Sequence, residues 1–539
     1  MGRQSRSGSI AGRRLALIAA LAIVGSACGG GSDKGGRAAE GAVRGGGFSL
    51  SIGEPEHLLP AATTDNNGQQ VLSALFTGLV RYDPSTSEPR NAMAESMTSP
   101  DQQTWTIKIK PGWTFHNGEP VTAGSYVDAW NFAAYAPNGN GNASYFSKVE
   151  GYEDVQRSPP RAREMRGLAV VDETTFTVGL REPFSQFPLT LGFQAFYPMP
   201  KSGLADPKGF EQQPVGNGPY LMDGPWRHDE AITLKRFPAY KGLAASADAV
   251  RLRLYTNDET RLRDLQAGTL DIATSLPENE LPAIKAEFGH RFVERDSSGF
   301  NYLGLPVYQP AFAKKELRQA LSMAIDRPAI IKAIFNGSKQ AAGSVVSPLV
   351  PGSRADACSA CHFDPVKARA LLAQAGGWSG PLQLWFAGGS RNDEHMEAIA
   401  NQLRQNLGIT DISFQTPEFA ELLSSVKAHK VTGPFRLNWL MDYPSPQAYL
   451  EPLFTSGSSG NRPGYSNPRV DQLVADGNRA PSLEAGIKAY QAAEDIILDD
   501  MPVIPLWFGK TYAAHSKRVD HVVLDPLSLI RIEDVVVAG

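Results

Sequence analysis

Cysteine is nearly missing from this chain, with three among 539 residues. A disulfide framework therefore cannot organise a fold of this length. An excess of one charge is missing too: 52 Lys and Arg stand against 56 Asp and Glu, for a formal net charge of −4. Past the N-terminus there is no dense Lys/Arg block, and the basic stripe of a nucleic-acid binder is absent, so nucleic acid is excluded as a partner. Beyond residue 47 no apolar run approaches the roughly 20 residues that a transmembrane helix needs. Catalytic signatures are lacking as well: no G-x-S-x-G elbow, no H-E-x-x-H helix and no G-x-x-x-x-G-K-[ST] phosphate loop. The nine histidines are scattered, with no pair at helical metal-ligand spacing. No repeat of fixed period is seen. The expectation is a protein that is not an enzyme and carries no cofactor or metal.

What is present begins with the composition. Hydrophobic residues make up 42% and charged residues 20%, as in a soluble globular body, and the length calls for several lobes. At the N-terminus Arg3, Arg6, Arg13 and Arg14 precede a ten-residue apolar run, Leu15 to Val24. Gly25, Ser26 and Ala27 then lead to Cys28. The layout is that of a signal peptide over residues 1–27. A Cys directly after small residues is also the bacterial lipoprotein pattern, with Cys28 as the lipidated residue. One departure is Gly25, where that pattern usually has Leu, and the alternative is a plain signal peptide with an incidental Cys. Residues 28–46 are Gly-rich and polar, too poor in apolar surface to fold, and read as a flexible tether. The body is then exported and held at the outer face of a cell membrane by its lipid.

Within the body, Trp105 to Lys110 alternates apolar and polar residues at the period of a half-buried strand, and Pro111-Gly112 ends it. Ala249 to Tyr255 alternates likewise. Asn257 and Asp258 then offer N-caps, Leu262 and Leu265 share a helix face, and Gly268 stops the helix. Such a strand-helix unit with short connections points to α/β architecture. Further helical stripes run through Met396, Ile399, Ala400, Leu403 and Leu407, closed by Gly408, and through Ile487, Tyr490, Ile497 and Leu498. Gly216-Asn217-Gly218-Pro219 lacks the spacing of a phosphate cradle and reads as a turn.

Five segments, in order along the chain, carry a resemblance. They are LFTGLVRYD (75–83), WTIKIKPGWTFHNGEPVTAGSYVDAW (105–130), PVGNGPY (214–220), ELRQALSMAIDR (316–327) and DDMPVIPLW (499–507). Together they resemble the peptide-binding members of solute-binding protein family 5, which deliver ligands to ABC importers. The resemblance implies an α/β, two-lobed periplasmic-binding-protein-like fold (type II, cluster C) with an additional third domain. Lobe I maps to 47–70, 200–297 and 505–539, the extra domain II to 71–199, and lobe III to 298–504. Two lobes joined by connecting strands can close around a ligand by hinge motion. The implied partners are short peptides and the permease subunits of the importer, with its ATPase subunits reached indirectly. The implied state is a monomer.

Free peptides carry an ammonium at one end and a carboxylate at the other, so a receptor indifferent to side chains must hold the ends and the backbone. The stretch Phe435 to Leu450 contains Arg436, Trp439 and Asp442. In the members that this stretch resembles, the residue matching Asp442 holds the ligand ammonium. The same comparison places Arg436 near the ligand carboxylate and makes Trp439 the wall of a side-chain pocket. Glu54, in SIGEPEHLLP, matches a segment that pairs with ligand backbone, and Tyr145, in NASYF, is a weaker match. Structural alternatives stand beside each: Asp442 as a turn cap before Tyr443-Pro444, Arg436 as a solvated strand residue, Trp439 as core, Tyr145 as a loop aromatic. On the same scaffold a nickel chelate, a sugar or haem is an alternative ligand.

Cys358, Ser359, Ala360, Cys361 and His362 spell C-x-x-C-H, the attachment pattern of c-type haem. A haem domain also needs an apolar enclosure and an axial arrangement, and nothing around this stretch builds one. Zinc would need a fourth ligand nearby. Asp364 and Pro365 suit the N-cap and first position of a helix that runs to Gly376. Cys358 and Cys361 therefore read as a disulfide clip on a surface loop, contributing only about 2 kcal/mol on the chain-entropy model. Free or redox-active thiols are the alternative, and His362 has no special role.

Overall fold

The computed structural model describes residues 45–388 and 392–538. Cys28, the signal segment and most of the tether lie outside the described residues. Alternation of apolar and polar residues builds the centre of the fold. In Ala249–Leu254, Val250 and Leu252 are buried while Arg251 faces out. Eleven strands form one sheet: β1 (Gly47–Ile52), β2 (Tyr220–Met222), β3 (Ala231–Arg236), β4 (Ala249–Leu254), β5 (Ile272–Thr274), β6 (Phe292–Gly304), β7 (Gln340–Ala341), β8 (Leu382–Trp385), β9 (Ile412–Gln415), β10 (Phe435–Trp439) and β11 (Val503–His515). Their order is β9-β8-β10-β6-β11-β5-β1-β4-β3-β2, with β7 paired to β11.

Strands β6 and β11 are 13 residues each and run antiparallel. Their register shifts between Asp296, opposite Lys510, and Phe300, opposite Phe508. Ser297, Ser298 and Gly299 thus form a bulge facing Gly509. On one side of the bulge β11 pairs with β5, through Ala513 to His515. On the other side β6 pairs with β10, through Phe300 to Gly304. Among the described residues the strand ladder passes from one flank of the sheet to the other through this pair of strands. A bulge locally interrupts a ladder and bends it, so the ladder between the flanks is broken at this point. A separate four-stranded sheet holds Thr104–Ile109 at its centre.

The helical expectations are realised with their caps. Helix α1 spans Asn66–Leu75 and α2 spans Ala123–Ala134. Helix α3 is Asp258–Gln266; Asn257 accepts from Thr260 N, and Leu262 and Leu265 are buried. Helices α4 (Lys315–Met323) and α5 (Arg327–Ile334) precede α6 (Pro365–Gln374), whose N-cap Asp364 accepts from Lys367 N. Helix α7 is Asn392–Leu407 with its apolar stripe inside, α8 is Gln447–Phe454, and α9 is Leu483–Asp500. The Gly216–Pro219 stretch is no hydrogen-bonded turn. It is a bend pressed on the end of α1, where Asn217 bonds both Thr77 N (3.0 Å) and Thr77 O (3.1 Å). A Cβ on Gly216 would lie 1.9 Å from Leu75 O, so close backbone approach dictates the glycine.

Arg327, 1% exposed, ties several of these elements together. Its guanidinium donates to Pro505 O on β11 (2.6 Å), to Ser322 O, Ser322 Oγ and Ile325 O at the joint of α4 and α5, and to Cys361 O (2.8 Å). Burial lowers its pKa to about 9, which leaves it charged at neutral pH. Arg327→Met removes the donors and leaves buried carbonyls without partners. The expected result is a loss of about 3 kcal/mol, read as a lower urea midpoint.

Candidate functional site

A cleft of about 520 Å³ opens at the bulge where the flanks of the sheet join. Its floor includes Ser297 and Ser298 of β6, Lys510 to Tyr512 of β11 and Thr274 to Leu276 at the end of β5. The first turns of α1, with Asn66, Asn67 and Gln70, form one wall, and Leu527 to Leu529 another. Leu440, Met441 and Asp442 enter from the loop after β10, and Ser144, Tyr145 and Phe193 face them. The lining is mixed, with hydroxyls and amides interleaved with apolar groups. Such a surface can hold a polar, flexible ligand by many hydrogen bonds.

Asp442 is fixed from both sides. Before it, Trp439 Nε1 donates to Ala448 O (2.8 Å). After it, Ser445 N donates to Tyr443 O (2.8 Å), and α8 begins at Gln447. The short loop has little freedom, and Asp442 points into the cleft. Burial pushes its carboxyl up to about 6, and a hydrogen bond from Tyr145 holds it below where burial alone would put it. No cation among the described residues pairs with Asp442. Once ionised, it is a buried anion whose charge is only partly met, which favours an incoming cation.

Tyr145 stands on a single helical turn, Ala143–Phe146, pinned by fully buried Phe146. The preceding Asn142 donates to Pro60 O and Thr63 O, both at 2.8 Å. The Tyr145 ring packs on Phe193 at 4.4 Å between centroids. Burial, then the neighbouring Asp442, hold its hydroxyl well above the usual phenol pKa, so it stays a donor.

The other expected residues do not join them. On β10, Phe435 and Leu437 are buried while Arg436 and Asn438 take the opposite face. A spacing of three places Arg436 and Trp439 on opposite faces of a strand, so they cannot wall one pocket. Arg436 lines a second hollow of about 550 Å³ with Asn301, Lys339 and Trp507, and donates to Asn301 Oδ1 (2.6 Å). Desolvation lowers its pKa. Trp439 packs on the core and lines neither hollow. Glu54 is engaged elsewhere, with His228 Nδ1 (2.9 Å) and Asp229 N (3.1 Å). Sequence reasoning passed over Lys510, Thr511, Ser297 and Ser298. A signal existed in β11, where Gly509-Lys510-Thr511 interrupts apolar sequence; in β6, Ser297-Ser298-Gly299 only ends a longer polar run that starts at Glu294.

At Cys358–His362 the two Sγ atoms are 2.02 Å apart, a bonded distance. Cys358 is buried, and His362 is exposed beside Asp356 (2.9 Å). Among the described residues no group of three or more His, Cys, Asp or Glu is placed to hold a metal ion, and no helix is long and apolar enough to cross a membrane.

A family model described as bacterial extracellular solute-binding proteins, family 5 (middle) matches residues 88–461. The chain is similar to the dipeptide-binding protein DppE of Bacillus subtilis strain 168, 25% identical over 501 residues that cover 89% of this chain and 90% of that one. It is similar to the glutathione-binding protein GsiB of Escherichia coli K12, 27% identical over 496 residues, covering 88% and 91%. Among solved structures, the periplasmic murein tripeptide binding protein MppA in its unliganded open form matches with a TM-score of 0.81. That match has 22% identity and covers 92% of this chain and 98% of that one; it bears on fold.

The Asp442–Tyr145 contact generates a direct check. Tyr145→Phe removes the hydrogen bond that favours the ionised carboxylate, so the Asp442 titration moves upward from about 6. Carbon-detected NMR of the labelled carboxyl reads that shift; an unchanged titration would show that the two groups do not interact.

Proposed function

The chain belongs to the bacterial extracellular solute-binding proteins of family 5, and from that premise we propose that it captures short peptides in the cleft beside Asp442 and delivers them to the permease of an ABC importer. It has the two-lobed type II α/β fold of periplasmic binding proteins. As a member of this family it is an extracytoplasmic transport receptor and not an enzyme. Relatives named for binding a dipeptide and glutathione support a peptide as ligand. The observation that carries the reading is Asp442 itself, a carboxylate held in the cleft with a phenol donor and no cation.

The proposed mechanism is closure. Lobe I (47–70, 200–297, 505–539) and lobe III (298–504) would move about the bulged region of β6 and β11, with domain II (71–199) supplying Tyr145 and Phe193. The ligand ammonium would meet Asp442, and the hydroxyls and amides of the cleft would meet its backbone. Lipidation of Cys28 would hold the receptor at the membrane, within reach of its permease.

Two outcomes test the reading by calorimetric titration with di- to pentapeptides. Asp442→Asn leaves the ligand ammonium without its counter-charge and should raise Kd by about thirtyfold or more. The pH dependence follows from the raised carboxyl pKa. Below about 6 Asp442 is protonated and attracts an ammonium weakly; above it the ionised form is ready. Affinity should therefore rise with pH, by up to about tenfold per unit below 6, and level off above 7. Failure of every free peptide to bind would sink the proposal.

A further inference from the structure

Three charged side chains stand among the described residues lining the cleft: Glu278, Asp442 and Lys510. Glu278 is held by Lys339 Nζ at 2.7 Å. Lys510 is then the one cation of the described lining. It lies on β11 where the register with β6 shifts, directly across from Asp296. Its ammonium pairs with Glu294, and Glu294 also holds Lys285 Nζ at 3.0 Å. An ammonium carries three N–H donors. Among the described residues Glu294 takes one of them, which leaves donors for an anion arriving in the cleft. Glu294 and Asp296 balance Lys285 and Lys510 in charge, so the attraction acts by contact and not through a long-range field.

Arg436, the cation to which the sequence pointed, faces the second hollow and already donates to Asn301. A carboxylate reaching it would leave the cleft that holds Asp442. On the reading that the ligand is a peptide, we infer that Lys510 receives its terminal carboxylate while Asp442 receives its ammonium. The ligand is then a short free peptide held at both ends. The cleft volume of about 520 Å³ agrees, since pockets for drug-sized ligands measure roughly 300–1,000 Å³. A peptide much longer than a few residues would need space beyond it.

Trialanine and its C-terminal amide distinguish the possibilities, titrated by calorimetry into the wild type, Lys510→Met, Lys510→Arg and Arg436→Met. Amidation should weaken binding to the wild type by about tenfold or more. Lys510→Met should bind the free acid as weakly as the amide, and Lys510→Arg should restore the preference for the acid. Arg436→Met should keep that preference. An amidation penalty that persists in Lys510→Met, or that vanishes in Arg436→Met, overturns the assignment while leaving the peptide reading intact. Equal binding of acid and amide by the wild type also overturns it. If the wild type binds neither, the peptide reading itself fails, and this assignment with it.

Discussion

The fold depends on one shared pair of strands. β6 and β11 run through the middle of the sheet, each contributing one part to either flank. Backbone groups buried in a sheet must find partners, so both flanks are obliged to register on the same two strands. The bulge at Ser297 to Gly299, facing Gly509, gives up part of that ladder. It leaves small residues and unfilled space where a cleft can form. The geometry that weakens the sheet locally also creates the site.

Buried charge divides the molecule into parts that are settled and a part that is not. Arg327 bonds through each of its three nitrogens to carbonyls and one hydroxyl. Glu451 on α8 is met by Lys148 (2.6 Å) and Asn478 (2.9 Å), which holds its carboxyl below the usual range despite burial. These charges are satisfied and their role is architectural. Among the described residues Asp442, a few residues before Glu451, is met by a phenol and by no cation, and its carboxyl stands above the usual range. The contrast between two nearby acids, with shifts in opposite directions, separates scaffold from site.

Much of the scaffold was legible beforehand. The alternation in Ala249 to Leu254, the Asn257 cap and the stripe from Met396 to Leu407 are local signals, and the structure follows them within a residue or so. The helix after C-x-x-C-H starts at its expected Asp-Pro cap. Of the expected site residues, the structure brings Asp442 and Tyr145 to one cleft. Arg436 and Trp439 separate because a strand sends residues three apart to opposite faces, a consequence invisible until β10 is known to be a strand. Glu54 is taken up by His228, 174 residues away in sequence.

By itself the sequence determined the α/β elements, their caps, the exported character of the chain and the family it resembles, because each of these is written in short-range periodicity or in contiguous motifs. Only the tertiary structure decided which charges share a cleft. Asp442, Tyr145 and Lys510 come from three distant segments: the β10-β6-β11 ladder places Asp442 and Lys510, and the Asn142 contacts to Pro60 and Thr63 place Tyr145. Burial, which raises one carboxyl and leaves one lysine as the cation of the described lining, is a property of that assembled environment and of no single stretch of residues.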